Sequence, residues 1–166
     1  MINPYLWTFL LSLAPVSEIR GAMIYAFYAL DGLQNGWLPI LLAYGIAVVG
    51  NFLPVPFVML VFRPIVKWLK TTKLFGPLAR WLEERTQRKA QKLSKATAGA
   101  LLIFVAIPFP TTGAWTGAMI ASLLDLRFKY ALPAILGGIL ISGLIMTLLL
   151  TGVLNLGALG ELFIKN

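Results

Sequence analysis

The sequence contains the same four-residue word twice, each time in the same context. Gly-Ala-Met-Ile stands at 21–24 and again at 117–120, and each copy is followed by an Asp and then by a Leu-Pro pair. A proline-containing break precedes each copy, within APVSEIR at 14–20 and within IPFPTTGAWT at 107–116. Landmarks repeated in one order predict two homologous halves, each with an interrupted helix, which is a pattern typical of many membrane transporters.

The composition also favours a membrane protein. Apolar residues make up 59% of the 166 residues, more than a soluble domain of this size can bury. The chain has no cysteine, so disulfides and thiolate metal sites are excluded, and we expect neither a metal nor a cofactor. Residues 1–13 lack a basic start and a small-residue cleavage site, so we interpret them as part of the mature protein.

Positive charge is concentrated in one segment. Residues 63–95 hold ten Lys or Arg and two Glu, a net charge of +8, whereas the other residues hold four basic and four acidic side chains and sum to zero. A basic segment beside membrane spans usually marks the cytoplasmic face, so we expect a solvated helix at the lipid surface. Nucleic-acid binding is not expected of a basic strip between two spans.

We predict a single membrane domain over 1–166. Its parts are a first repeat at 1–62, a basic cytoplasmic segment at 63–96, a second repeat at 97–153 and a C-terminal tail at 154–166. Each repeat ends in an apolar run long enough to cross a bilayer, 38–62 in the first and 131–153 in the second. Pro54 and Pro56 interrupt the first run and predict a kink there.

The two interrupted helices can be placed in the membrane in two ways. Each arm is roughly 15–20 Å long, about half the hydrocarbon core, so the segment either crosses or enters and returns to its own side. Re-entry keeps Arg127 and Lys129 on the same side as the basic segment, which the distribution of charge favours. We therefore predict an all-α inverted repeat of two re-entrant hairpins, each followed by a transmembrane helix, with a basic amphipathic surface helix between the halves.

The first break carries ionisable side chains at the predicted membrane depth. Glu18 and Arg20 lie between Pro15, which interrupts the helix, and Gly21, where we expect the helix to resume, with Ser17 beside them. Ionisable residues inside a membrane are costly and usually functional, so Glu18 is the predicted proton carrier and Arg20 the predicted anion ligand. The alternative is that the two form a purely structural ion pair.

The second break is uncharged. Its candidate residues are Pro108 and Pro110 as helix breakers, Thr111, Thr112, Gly113 and Trp115 as ligands, and Gly117 at the start of the repeated word. Hydroxyl groups and free amides at the start of a helix suit an anion, although threonine caps and a packed tryptophan would explain the same residues. Asp31 and Asp125 are expected to be turn or cap residues.

We expect the two tips to meet near the midplane and to share one pocket. Two helix N-termini and Arg20 would then face the same place and favour a phosphate or a carboxylate. Asn51, in the following span, either adds a donor to this pocket or only bridges backbone groups that Pro54 and Pro56 leave without partners.

Two strings, PVSEIRGAMI at 15–24 and AIPFPTTGAWTGAMIASLL at 106–124, resemble the small multidrug export protein family. The resemblance covers most of the chain, and that family is similar to the DedA/VTT membrane proteins. It implies two inverted re-entrant hairpins and a transport activity, either proton-linked tolerance of drugs or ions or flipping of lipid carriers such as undecaprenyl phosphate. Glu18 matches the acidic residue of the first DedA motif. Pro110 matches the proline of the second DedA motif, but the arginines around that proline are absent here.

The leading hypothesis is a proton-coupled transporter or flippase in a prokaryotic inner membrane. Its expected partners are membrane lipids, protons and a small amphiphilic or lipid-phosphate-like substrate. A homodimer is expected too, because two full spans hardly shield a polar midplane. The alternative is a non-transporting scaffold or lipid-scrambling accessory that acts through the basic helix. We do not expect an enzyme: a lipid hydrolase would have to rely on Ser17, without a histidine or a second carboxylate near Glu18.

Overall fold

The computed structural model describes residues 3–31, 35–70, 90–109 and 112–164, and within these ranges the chain is helical and forms no strand. The helices are α1 (Pro4–Leu13), α2 (Glu18–Ala29), α3 (Trp37–Phe52), α4 (Pro54–Lys70), α5 (Ala90–Ala106), α6 (Ala114–Leu123) and α7 (Phe128–Ile164). Most of the predicted basic surface helix falls at 71–89, outside the described residues.

Two stretches are long and apolar enough to cross a membrane. They are Trp37–Ile65, with 29 residues, and Phe128–Gly152, with 25 residues. The two apolar spans predicted at 38–62 and 131–153 are therefore confirmed by length and composition. The first is interrupted at Leu53, between α3 and α4, because the prolines that follow cannot donate helical hydrogen bonds.

The chain divides into two compact units. Unit 1 consists of Met1–Asn51 and Ile139–Asn166, and unit 2 consists of Phe52–Gly138. Unit 1 contains α1, α2, α3 and the later part of α7, whereas unit 2 contains α4, α5, α6 and the start of α7. Each unit therefore holds one of the two interrupted helices and part of each apolar span.

The first interrupted helix forms a hairpin because its start and its break are defined by local chemistry. Asn3 caps α1 by accepting a hydrogen bond from the Tyr5 N–H at 3.0 Å, and Pro4 occupies the first helical position, where it needs no donor. The chain turns extended at Ala14 and Pro15 follows, so α1 cannot continue. The second arm, α2, then packs along α1.

The two helices that contain the repeated word are each followed by an aspartate in the left-handed backbone conformation. Asp31 follows α2 with φ 56°, and Asp125 follows α6 with φ 49°. After α6, the Leu126 N–H donates to the Ala121 carbonyl at 2.9 Å, which is the long hydrogen bond of a Schellman motif. The prediction that both aspartates are turn or cap residues is confirmed.

One glycine in each unit lets a span approach an interrupted helix closely. In unit 1, a Cβ built on Gly50 of α3 would overlap Ser12 Oγ of α1. In unit 2, a Cβ built on Gly138 of α7 would lie 2.6 Å from Val105 Cβ of α5. Ser12 and Val105 each stand three residues before the first proline of their break. The sequence repeat thus has a counterpart in the packing inside each unit, whereas the inverted orientation of the repeats stays a prediction.

Candidate functional site at the first helix break

The first break is shorter than the sequence predicted. It covers residues 14–17, and α2 begins at Glu18 rather than at Gly21. The Ser17 hydroxyl donates to the Leu11 carbonyl, and the Gly21 N–H donates to the Ser17 carbonyl at 2.8 Å. Glu18 is therefore the first residue of α2. It lies between Ser17 and Gly21, which are both held by these hydrogen bonds.

Glu18 has an unfavourable backbone conformation. Its φ of 48° lies in the left-handed region, which costs a residue other than glycine on the order of 1–2 kcal/mol. Its N–H donates to the Ala14 carbonyl at 2.9 Å, and its side chain is only 6% exposed. A buried carboxyl group on a strained backbone indicates a role beyond helix formation, because strain of this kind accumulates at functional sites.

Arg20 pairs with this carboxyl group. Glu18 Oε2 lies 3.6 Å from Arg20 Nη2, and the side chains are 6% and 17% exposed. Pairing reduces the cost of burying both charges and leaves the pair neutral as a whole. The structure thus brings together the two ionisable residues that the sequence singled out, and the guanidinium group is the more accessible of the two.

Asn51 is the second polar feature of unit 1. It is 1% exposed, and among the described residues neither its Oδ1 nor its Nδ2 has a hydrogen-bond partner. The preceding residue, Gly50, loses the usual helical donor to its carbonyl because Pro54, four residues further on, has no N–H. Buried polar groups are nearly always paired, so this amide requires an explanation.

The second break, in unit 2, is organised by threonine hydroxyl groups. The Thr112 hydroxyl donates to the Ile107 carbonyl at 2.7 Å, and the Phe109 N–H donates back to it at 3.3 Å. The Gly113 N–H donates to Thr116 Oγ1 at 3.0 Å, so the Thr116 hydroxyl satisfies a backbone donor at the start of α6.

The structure describes only some of the other residues predicted for the second break. Pro110 and Thr111 lie outside the described residues. Trp115 is half-buried in the first turn of α6. A Cβ built on Gly117 would lie 2.7 Å from Val105 Cγ2, so this glycine allows α6 to approach α5.

Arg63 has a structural role that sequence reasoning missed, because it was assigned to the basic surface segment. In unit 2 its Nη2 donates to the Leu126 carbonyl, and its Cζ lies 4.2 Å from the centre of the Phe128 ring. Arg63 thereby holds the turn between α6 and α7. It is the only charged residue within the apolar stretch Trp37–Ile65, and this is the sequence feature that could have indicated its role.

The helices, the two apolar spans and the buried ion pair define an α-helical membrane protein. The chain belongs to the family described as "Putative small multi-drug export protein", whose model matches residues 18–145. The matched region begins at Glu18 and includes the second break. Nothing among the curated proteins and the solved structures matches the chain. The family description agrees with the predicted class, a small membrane transporter.

Proposed function

We propose that the protein is a proton-coupled transporter or flippase that moves a small amphiphile with an anionic, lipid-phosphate-like head group. The observation that carries the proposal is the buried pair of Glu18 and Arg20 at the first break. Charged side chains inside membrane proteins commonly mark substrate paths and proton relays. Membership of an export family supports transport. The flippase version rests on the resemblance of Glu18 to the acidic residue of the first DedA motif, because the second break lacks the arginines of the second motif.

The ion pair offers a simple way to couple a proton to an anion. While Glu18 is ionised, its carboxylate competes with an incoming anion for the Arg20 guanidinium group. A proton on Glu18 removes that competition, so the anion binds more tightly. By linkage, the bound anion favours protonation of Glu18 by the same factor. The proton and the anion therefore bind together, and a transporter that carries the loaded site across the membrane would move both.

The start of α2 assists the same site. The helix begins at Glu18, and its first amides carry a positive partial charge that favours an anion near Arg20. Ser17 lies beside this helix start and holds it to α1. Further ligands would come from the second break: Thr111, Thr112, Gly113 and Trp115. A pocket shared by the two breaks stays a prediction of the sequence.

Contacts within unit 2 support re-entry of the second hairpin. Ser122 Oγ lies 3.4 Å from the Met59 carbonyl oxygen. Four residues further along the chain in both places, Arg63 of α4 donates to the carbonyl of Leu126 in the turn after α6. Because both contacts join residues 63 positions apart, α4 and α6 run in the same direction. The chain leaves α4 into the basic segment and returns through α5, so the hairpin would begin and end on the side of that segment.

The protein would act as a homodimer in a prokaryotic inner membrane, with residues 63–95 on the cytoplasmic side. The positive-inside rule supports this orientation, because the basic segment holds ten of the 14 Lys and Arg residues.

Reconstituted liposomes test the proposal directly. A fluorescent long-chain alkyl phosphate is followed across the bilayer under an imposed pH gradient. Glu18→Gln should abolish the dependence on pH, and Arg20→Gln should abolish movement of the probe, because each removes one charge of the pair. Asp125→Asn is the matched control, since it neutralises an exposed carboxylate at a turn.

Normal pH-dependent movement by a folded Glu18→Gln variant would overturn the proposal. A silent Glu18→Gln together with loss of activity on neutralising the Lys and Arg residues at 80–95 would favour the scaffold function instead.

A further inference from the structure

The Asn51 amide is a buried polar group that the coupling scheme does not use. The residue is 1% exposed, and both of its polar atoms lack partners among the described residues. A buried amide without partners costs free energy that a leucine at the same position would not. A polar residue at this position therefore requires a partner beyond the described residues.

The chemistry of the unpaired groups limits what that partner can be. Asn51 Oδ1 accepts hydrogen bonds and Nδ2 donates them, and both atoms need a partner. A metal cation would satisfy Oδ1 and leave Nδ2 unpaired, whereas a phosphate or carboxylate would do the reverse. A hydroxyl group both donates and accepts, so it can satisfy the amide at both ends.

The residues that precede Asn51 and Glu18 in the chain both contact the last turn of α1. A Cβ on Gly50, the residue before Asn51, would overlap Ser12 Oγ. Ser17, the residue before Glu18, donates to the carbonyl of Leu11, which is the neighbour of Ser12. The last turn of α1 thus contacts both the start of α2 and the end of α3, within unit 1.

We propose that Asn51 is a subsite for a hydroxyl group that the transported molecule carries a few bonds from its anionic head group. This inference rests on the proposed function: the ion pair binds the anion, and Asn51 selects molecules that also have the hydroxyl. A site built to hydrogen-bond a hydroxyl discriminates against an analogue without it, because the amide is then left unpaired.

Two probes that differ only in this hydroxyl test the inference. They are 1-O-dodecylglycerol 3-phosphate and 3-(dodecyloxy)propyl phosphate, which lacks the 2-hydroxyl group, and their binding to the purified full chain is measured calorimetrically in detergent. The wild-type protein should bind the first probe at least about tenfold more tightly. Asn51→Leu should bind both probes with the affinity of the second, and should melt at or above the wild-type temperature without a probe.

Ser122→Ala is the matched control. Ser122 is a buried hydroxyl in unit 2 that donates to the Ala118 carbonyl at 2.9 Å, so its removal should leave the preference between the probes unchanged. If Asn51→Leu does not fold, Asn51→Ala provides the same comparison.

The failures of the inference and of the proposed function can be distinguished. Equal affinity of the wild-type protein for the two probes overturns the inference and leaves the proposed function intact. A preference for the hydroxyl-bearing probe that persists in the Asn51 variants also overturns the inference. That result is expected if a resident water molecule satisfies the amide. Binding of neither probe contradicts the proposed substrate class, and the inference fails with it.

Discussion

Arg63 donates a hydrogen bond to the carbonyl oxygen of Leu126, although 63 positions separate the two residues. This bond joins α4 to the turn between α6 and α7, and the Phe128 ring covers the same guanidinium group at 4.2 Å. The contact holds the base of the second hairpin within unit 2.

Removing this contact should destabilise the protein. Arg63→Leu loses a charge-assisted hydrogen bond and a cation–π contact, and together these are worth about 2–3 kcal/mol. Thermal unfolding of the purified protein, followed by tryptophan fluorescence, measures the change. Arg127→Leu, which removes an exposed charge from the same turn, should change the melting temperature little. Equal stability of the two variants would show that the Arg63 contact contributes nothing.

Alanine substitutions at the packed glycines should destabilise each unit. A Cβ at Gly138 would lie 2.6 Å from Val105 Cβ, and a Cβ at Gly50 would overlap Ser12 Oγ. Overpacking of this kind typically costs about 1–3 kcal/mol. Gly45→Ala is the control, because a Cβ there meets no atom within 4 Å and alanine favours a helix by about 0.5–1 kcal/mol. A Gly138→Ala variant as stable as Gly45→Ala would contradict the close approach of α7 to α5.

Re-entry predicts which side of the membrane each turn faces. The chain has no cysteine, so single cysteines can be introduced without any background. A membrane-impermeant maleimide added to intact cells should label Asn35→Cys, in the turn after α2, and should not label Arg127→Cys. Inside-out vesicles should give the opposite result. Labelling of Arg127→Cys from the outside would mean that the second interrupted helix crosses the membrane.

The long elements of this fold could be predicted from sequence because their signal is strong. Two apolar runs bounded by turns gave both spans, and Pro54 with Pro56 gave the interruption at Leu53. The start of α2 was placed three residues late, at Gly21. Glutamate carries no sequence signal for a positive φ, and glycine is the residue that usually indicates one.

The charged residues of the candidate site could be predicted from the sequence, whereas the contacts of its residues could not. Glu18 and Arg20 stood out because ionisable residues are rare in apolar segments, and the structure shows them paired. Asn51 is 1% exposed, and its amide has no hydrogen-bond partner among the described residues; both depend on how α3 packs, which a sequence pattern does not encode. Arg63 was assigned to the surface because its neighbours further along the chain are also basic.

The backbone conformation of Glu18 and its ion pair act on stability in opposite directions. Because glycine adopts a φ of 48° without penalty, Glu18→Gly would relieve strain on the order of 1–2 kcal/mol. The same change would take the carboxylate away from the Arg20 guanidinium group, and breaking a buried ion pair typically costs about 3–5 kcal/mol. Directed evolution that rewards only heat resistance should therefore retain the glutamate codon at this position, although its backbone conformation suits glycine better.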